Sequence, residues 1–317
     1  MGLAFKLILQ RLGLALLTLL LVSLIIFTIS SLLPGDAASE TLGQSATPEQ
    51  IAALRAQLGL NEPGPLRYIH WLGGLLTGDA GRSMANDMPV RELIAARLPK
   101  SLVLAGLTAL VSVPIALAMG IWAAMHRNSL LDRALSLATV SMVAAPEFLV
   151  ATIGVLIFAV KLRWLPSIAL IPEHPSPLDL LRAYALPVTT LAFVVIAQMA
   201  RMTRAAVVDQ LRQPYVEMAV LKGVARTRLV LTHALPNAAG PIVNAVALSL
   251  SYLLGGAIIV ETIFNYPGVA SLMVDAVTSR DMPLLQACAM IFCAAYLALV
   301  LIADVCAILT NPRLRDA

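Results

Sequence analysis

Charge is scarce in this chain of 317 residues: Asp, Glu, Lys and Arg together make up 13%, against about 25% in an ordinary soluble domain. With 59% hydrophobic residues beside so few charges, a water-soluble globule is excluded, because a core can hide only part of that apolar side chain. Much of the chain needs lipid as its solvent. The same balance excludes disorder. The formal charge of +4 comes from scattered bases that form no stripe, so nucleic acid is excluded as a partner.

Reactive side chains are just as sparse. Cys288, Cys293 and Cys306 lie in one apolar run, in neither a CxxC nor a zinc-finger spacing, and read as small buried hydrophobes. His70, His126, His174 and His233 fall in four separate segments with no HExxH and no neighbour at metal-ligand spacing, so no metal site is expected. The phosphate-binding pattern GxxxxGK[ST] is missing; Lys100 and Ser101 follow Pro99 where it needs glycine. The chain is therefore expected to bind no nucleotide that way, and no other cofactor. Ser141 and Ser249 are lone hydroxyls in apolar runs, expected to bond back to a helix carbonyl rather than act as nucleophiles.

Long apolar runs are what the chain does have. A span needs about 20 mostly apolar residues to cross about 30 Å of hydrocarbon. Six runs qualify, near Leu12 to Leu33, Ser101 to Ala124, Ala134 to Val160, Ala185 to Ala206, Ala239 to Phe264 and Leu284 to Leu309. The first exceeds the 7 to 15 residues of a signal-peptide core and is expected to be a retained span. The expected fold is an all-α polytopic membrane protein of six transmembrane helices. Its divisions are residues 1–33 with the first span, 34–100 outside, 101–309 as a five-span core, and a tail at 310–317.

Bases set the direction. Six spans put both termini on one side, where Lys6, Arg11, Arg127, Arg133, Arg201, Arg204, Arg212, Lys222, Arg226, Arg228, Arg313 and Arg315 lie. The short loops opposite hold only Lys161, Arg163, Arg182 and Arg280. Both termini are therefore expected in the cytoplasm. The segment Pro34 to Lys100 is then external. Thr47, Pro48 and Gln50 form a capping-box start, Ile51, Leu54 and Leu58 share a helical face, and Gly59 marks the stop. A second amphipathic stretch carries Tyr68, Trp71, Leu72 and Leu75, so a small helical cap is expected there.

Acids inside spans cost about 2.5 to 3.5 kcal/mol each on insertion scales, so they should face protein or a wet cavity. Glu147 follows Pro146 near the middle of the third run, where a helix loses a backbone bond and a polar pathway can open. Gln198 and Asn244 are further pathway candidates, with interhelical hydrogen bonding as the alternative. Glu261 and Asp304 lie near the ends of spans and read as interfacial caps or interhelical partners.

The longest inner loop, residues 207–238, has a pattern of its own. Pro214 suits a first helical turn and Gly223 a left-handed stop, which leaves a helix of about nine residues, too short to span. Val216, Ala219, Val220 and Gly223 fall on one face, small enough for another surface to come close, with Glu217 and Lys222 at its flanks. A second stretch runs from Arg226 to His233 and is expected to close at Leu235 and Pro236. A short apolar helix held between proline and glycine reads as a docking knob for a cytoplasmic protein.

Glu217, Met218, Ala219, Lys222, Gly223, Leu235 and Pro236 resemble the "EAA" loop of bacterial ABC-transporter permeases, in which E-A-A, three residues and G are followed by a stretch ending in Leu-Pro; Met218 stands where the pattern has its first Ala. Much of the rest is similar to the dipeptide, oligopeptide and nickel branch of those permeases, first-subunit form. The matching residues are Pro34, Gly35 and Asp36, then Leu58, Gly59, Leu60, Tyr68, Trp71, Gly78, Asp79, Gly81 and Ser83. Pro89, Val90, Arg97, Leu98, Pro99 and Ser101 follow, then Trp164, Leu165 and Pro166. Glu261, Phe264, Pro267, Gly268, Leu272, Arg280, Asp281 and Pro283 complete the series, with Ala270 replacing a second glycine.

The resemblance implies a bacterial inner-membrane subunit that forms a solute pathway with a second permease subunit. Two cytoplasmic ATPase subunits would carry the ATP and magnesium, and an external solute-binding protein would deliver the cargo, most often a peptide. On this view Tyr215, Glu217, Ala219, Lys222, Gly223, Leu235 and Pro236 couple to the ATPase, and no residue does covalent chemistry. An ion-coupled secondary transporter working through Glu147, or an importer of nickel or another small solute, stays open.

Overall fold

The computed structural model describes residues 3–32, 47–57, 62–169, 171–172 and 176–310. The motif residues Pro34, Gly35, Asp36, Leu58, Gly59 and Leu60, together with His174 and the tail from 311, lie outside the described residues, as do the side chains of Ile51 and Leu54. Everything described is helix, turn or loop, apart from one antiparallel bridge between Arg82 and Pro89. The helices are α1 (Leu3–Leu32), α2 (Pro48–Gln57), α3 (Gly64–Thr77), α4 (Val90–Met125), α5 (Leu130–Ala144) and α6 (Glu147–Gly154). They continue with α7 (Pro177–Leu211), α8 (Pro214–Leu221), α9 (Arg226–Arg228), α10 (Leu235–Ile263), α11 (Val269–Thr278) and α12 (Met282–Thr310).

Five of these helical stretches are long and apolar enough to cross a membrane, and a sixth crossing follows if one bent pair counts as a single span. The bend corrects the third run, which the sequence reads as one helix from 134 to 160. Ala145 precedes Pro146, and the residue before a proline is pushed out of the helical region. It sits at φ −76° and ψ 124°. Helix α5 stops there and α6 starts again at Glu147, 98° away in direction. A π-helical turn over Val155–Lys161 completes that arm. The second span also begins earlier than expected, at Val90 rather than Ser101.

The chain divides into two compact units. One holds the described residues of Met1–Leu14, Leu102–Tyr266 and Tyr296–Ala317. Its core is built by α7 against α10 and α6, with Leu186, Leu191, Val195 and Met199 meeting Leu253, Val260 and Phe264. Helix α7 opens with a capping box: Ser176 Oγ accepts from the Asp179 N–H at 3.2 Å, and Asp179 Oδ2 accepts from the Ser176 N–H at 3.1 Å. Helix α4 lies close on α7 because residue 120 is glycine. A Cβ there would stand 2.6 Å from the Ala200 carbonyl oxygen and 2.7 Å from Thr203 Cβ.

Three polar residues of this unit refine the sequence reading. Asp304 pairs with Arg11 at 3.0 Å. Glu261 is fully buried. Ser249 makes no back-bond; its Oγ is buried without a hydrogen-bond partner among the described residues.

The other unit holds the described residues of Ala15–Ser101 and Pro267–Ala295. Thr47 and Gln50 start α2 with reciprocal bonds, the Thr47 N–H to Gln50 Oε1 at 3.0 Å and the Gln50 N–H to Thr47 Oγ1 at 3.3 Å. Helix α3 packs its aromatic face on α1. Phe27 meets Tyr68 and Trp71 with ring centroids 5.5 and 5.6 Å apart, and Ser23 Oγ and Tyr68 OH share a hydrogen bond of 2.8 Å. Helix α11 rests on Val90, Ile94, Leu284 and Cys288. Its first N–H, from Val269, donates to Ser101 Oγ at 2.8 Å. Asp281 is fully buried where α12 begins; it accepts from the Leu284 N–H and from the Ser83 hydroxyl. Beside Ser83, the exposed Arg82 guanidinium hydrogen-bonds Asp87 and holds that carboxyl below its ordinary range.

Candidate functional site

Helix α8 projects from the end of α7 as a rigid, two-turn knob. Gln213 is extended, Pro214 fills the first turn where no N–H is needed, and the helix runs to Leu221. Gly223 stops it at φ +77°, a left-handed conformation that only glycine adopts without strain. The Gly223 N–H donates to the Val220 carbonyl at 2.9 Å and the Val224 N–H to the Ala219 carbonyl at 3.2 Å. These two bonds form a Schellman stop, and Val224 packs near Ala219 as that motif favours.

The face that the knob offers differs from the one expected. Val216 and Ala219 are buried against Leu229, with Leu211 and Val224 around them, and so are not free for a partner. The outward surface is Tyr215, Met218, Val220 and Leu221, of which Leu221 is 81% exposed. Helix α8 is apolar on almost every side, so its sequence alone does not rank the faces. What decides is Leu229, delivered from beyond the glycine. Glu217 and Lys222 are exposed, and their side chains have no hydrogen bond or ion pair among the described residues. Tyr215 OH donates to Gln210 Oε1 at 3.0 Å, which ties the knob to α7.

Pro236 also behaves otherwise than expected. The chain from Arg226 does not close at Leu235 and Pro236 but continues as helix to Ile263. The six residues before α10, Leu229–Ala234, form a π-helical turn. This wider turn accommodates a proline that has no N–H to donate and whose ring would crowd the carbonyl four residues back. Asn237 Nδ2 donates to the His233 carbonyl within this turn at 2.8 Å. The chain from Arg226 and the span α10 are thus one continuous helical piece, separated from α8 by the stop at Gly223.

The pathway candidates lie apart from one another. Glu147 opens α6 at the 98° break, half-buried and with no hydrogen bond or ion pair among the described residues. Its carboxylate lies against Gly256 of α10. A Cβ on Gly256 would stand 2.8 Å from Glu147 Oε2 and 3.1 Å from Leu191 Cδ2. Gln198 is partly buried on α7 and Asn244 exposed on α10, both without side-chain hydrogen bonds among the described residues. Asn244 is twelve residues from Gly256, about 18 Å along the helix. Glu147 and Asn244 therefore mark different depths rather than one pocket.

One polar pair escapes a reading by motif. Asp132 is 3% exposed. Its carboxylate takes both ends of the Arg204 fork, at 2.6 Å from Nε and 2.7 Å from Nη2, and the Asn128 N–H at 2.9 Å. Ser129 and Asp132 have the spacing of a helix start, which is the one sequence signal at that place.

Membrane-length helices, a half-buried acid at a helix break and a short exposed helix between two of the spans are the parts of a transport permease. Residues 116–316 match the family described as "Binding-protein-dependent transport system inner membrane component", and residues 4–105 match its N-terminal counterpart. A peptide ABC transporter permease protein of Sinorhizobium fredii is 33% identical over 97% of this chain and 98% of its own length. A peptide transport system permease protein of Brucella abortus is 35% identical over 98% of each chain. The glutathione transport system permease protein GsiC of Salmonella typhimurium is 38% identical over 94% of this chain and 95% of its own. The chain belongs to the family of inner membrane components of binding-protein-dependent transport systems.

Proposed function

We propose that this permease serves an ABC importer of short peptides or peptide-like solutes, and that α8 is where a cytoplasmic ATPase subunit docks. The observation that carries the docking assignment is the outward edge of α8, with Met218 and Leu221 exposed on a helix that is itself locked in place by Pro214, Gly223 and Leu229. Such an edge fits a shallow groove on a soluble protein, with Glu217 and Lys222 supplying polar contacts at its rim. Gly223 and the buried Ala219 hold the knob's shape; Leu235 and Pro236 carry its movement into α10.

In this reading the chain itself holds neither nucleotide nor metal. ATP and magnesium belong to two ATPase subunits, a second permease subunit completes the pathway, and an external binding protein brings the cargo. Closure of the ATPase pair on ATP moves α8, and with it α10, so that the spans pass from an inward-open to an outward-open arrangement. Energy enters because nucleotide binds one state more tightly than the other. The termini and α8 lie in the cytoplasm, as the distribution of bases requires. The peptide assignment is supported by relatives named for peptide and glutathione transport that align along nearly the whole chain. Glu147 contributes a negative charge at the helix break, suited to the ammonium group of a passing peptide.

The test is Leu221→Asp, read by co-purification of ATPase subunits with the tagged chain. A charge at a side chain 81% exposed leaves folding intact. The chain should accumulate normally and lose its ATPases; retention of the ATPases at the wild-type ratio would refute the docking site.

A further inference from the structure

Between α4, α5 and α7 lies a cavity of about 200 Å³ that none of the proposed transport steps uses. Its walls are mostly apolar, with Ala123, Leu135 and Val140 among them, and Ser136 contributes a hydroxyl. Two arginines, Arg201 and Arg204, stand on the α7 wall, one turn apart on the same helix face. Arg204 is neutralised by the bidentate bond to Asp132. Arg201 is exposed and has no hydrogen bond or ion pair among the described residues. An unpaired guanidinium on an apolar helix in a membrane is costly, and it looks for an anion at the membrane surface.

The surroundings indicate which anion. Leu130 is 81% and Leu137 70% exposed on α5, a surface suited to acyl chains. Trp122, tilted against His126 with ring centroids 5.0 Å apart, is the kind of residue that marks the level of the headgroups. Arg127 lies near enough to act on the Asp132 carboxylate, so bases outnumber the one acid at this end of the groove. A free inorganic anion would leave the apolar walls unfilled, and a zwitterionic lipid would bring its own ammonium group up to Arg201 and Arg204 along with its phosphate.

We propose that this groove is a binding site for an anionic phospholipid, with its phosphate on the Arg201 fork and part of one acyl chain along Ala123, Leu135 and Val140. Basic pockets between spans at a membrane surface recognise lipids in this way, and arginine suits a phosphate because its donors are paired in one plane. Neither the cargo nor the ATPase docking enters this assignment.

The experiment titrates the full chain, alone and within its purified transport complex, with phosphatidylglycerol and with phosphatidylcholine, and counts bound lipid by native mass spectrometry. Phosphatidylglycerol should bind about fivefold or more tightly than phosphatidylcholine, the effect of one well-placed basic residue. Arg201→Gln should remove that preference, Arg201→Lys should keep most of it, and Arg182→Gln, outside the groove, should leave it unchanged. Ser136→Leu should weaken both lipids by filling the chain's seat. Equal binding of the two lipids by the wild-type chain would overturn the proposal. So would displacement of the lipid by millimolar inorganic phosphate, or its loss once the partner subunits assemble. If Arg201→Gln fails to accumulate, the wild-type preference and the Ser136→Leu result decide.

Discussion

At the scale of single residues, burial rather than residue type separates those that hold α8 in place from those that it leaves exposed. Val216 and Leu221 are both aliphatic and lie five residues apart, yet one is buried against Leu229 and the other is almost fully exposed. Asp at 216 places an unpaired charge in a packed cluster and should cost several kcal/mol, about 3 or more. Val216→Asp should therefore lower the amount of folded chain in the membrane, whereas Leu221→Asp should lower only ATPase binding. Fluorescence size-exclusion profiles of the two variants separate these outcomes. Asp132 and Arg204 give a second prediction. Asp132→Asn leaves a guanidinium without its counter-charge, and breaking a buried pair costs about 3 to 5 kcal/mol. Arg204 is partly exposed, so the loss should fall at the lower end. A melting temperature clearly below wild type is expected in detergent, and an unchanged one would show that the pair adds nothing to stability.

Elements show how far the sequence could be read. Apolar length alone located five of the spans, because about 20 greasy residues have few alternatives to crossing a bilayer, and it read the third run, a pair of helices bent by 98°, as one straight helix. Proline and glycine placed both ends of α8, Pro214 through its fixed φ and Gly223 through its left-handed one. What stayed hidden depended on partners distant in sequence. The inward face of α8 is chosen by Leu229, the close approach of α4 and α7 by Gly120 against Ala200, and the Asp132 site by Arg204. The bend at Ala145 was half visible: Pro146 signals a lost bond, but nothing local says whether the helix kinks or turns through 98°. Pro236 misled in the opposite sense, since a π-helical turn carries the helix through it. Gly223 permits a test at this scale. A Cβ there would meet nothing within 4 Å, so Gly223→Ala adds backbone strain without a clash. The left-handed conformation costs an L-residue about 1 to 2 kcal/mol. ATPase affinity should fall about five- to thirtyfold through loss of the docking-competent loop, measured by titrating purified ATPase onto the chain. Unchanged affinity would mean that the Schellman stop does not shape the docking surface.

For the molecule as a whole, the excess of bases on one side and the packing of α8 on Leu229, in the helical piece that runs into α10, call for an oriented device. Replacing the native cysteines and placing a single one at Leu221 or at Leu178, both exposed, makes the orientation measurable. A membrane-impermeant maleimide should reach residue 221 only in inside-out vesicles and residue 178 only from outside; the reverse pattern would invert the topology. Under the proposed docking, orientation in turn fixes where the energy arrives, at the face that carries α8. The most direct test of the whole account is uptake of a labelled tripeptide into proteoliposomes that hold this chain, its partner permease and its ATPases, with the binding protein outside. Uptake should require ATP within the lumen, on the side of α8, persist when ionophores collapse every ion gradient, and disappear with Leu221→Asp. Uptake by this chain alone, driven by an ion gradient without ATP and abolished by Glu147→Gln, would contradict it.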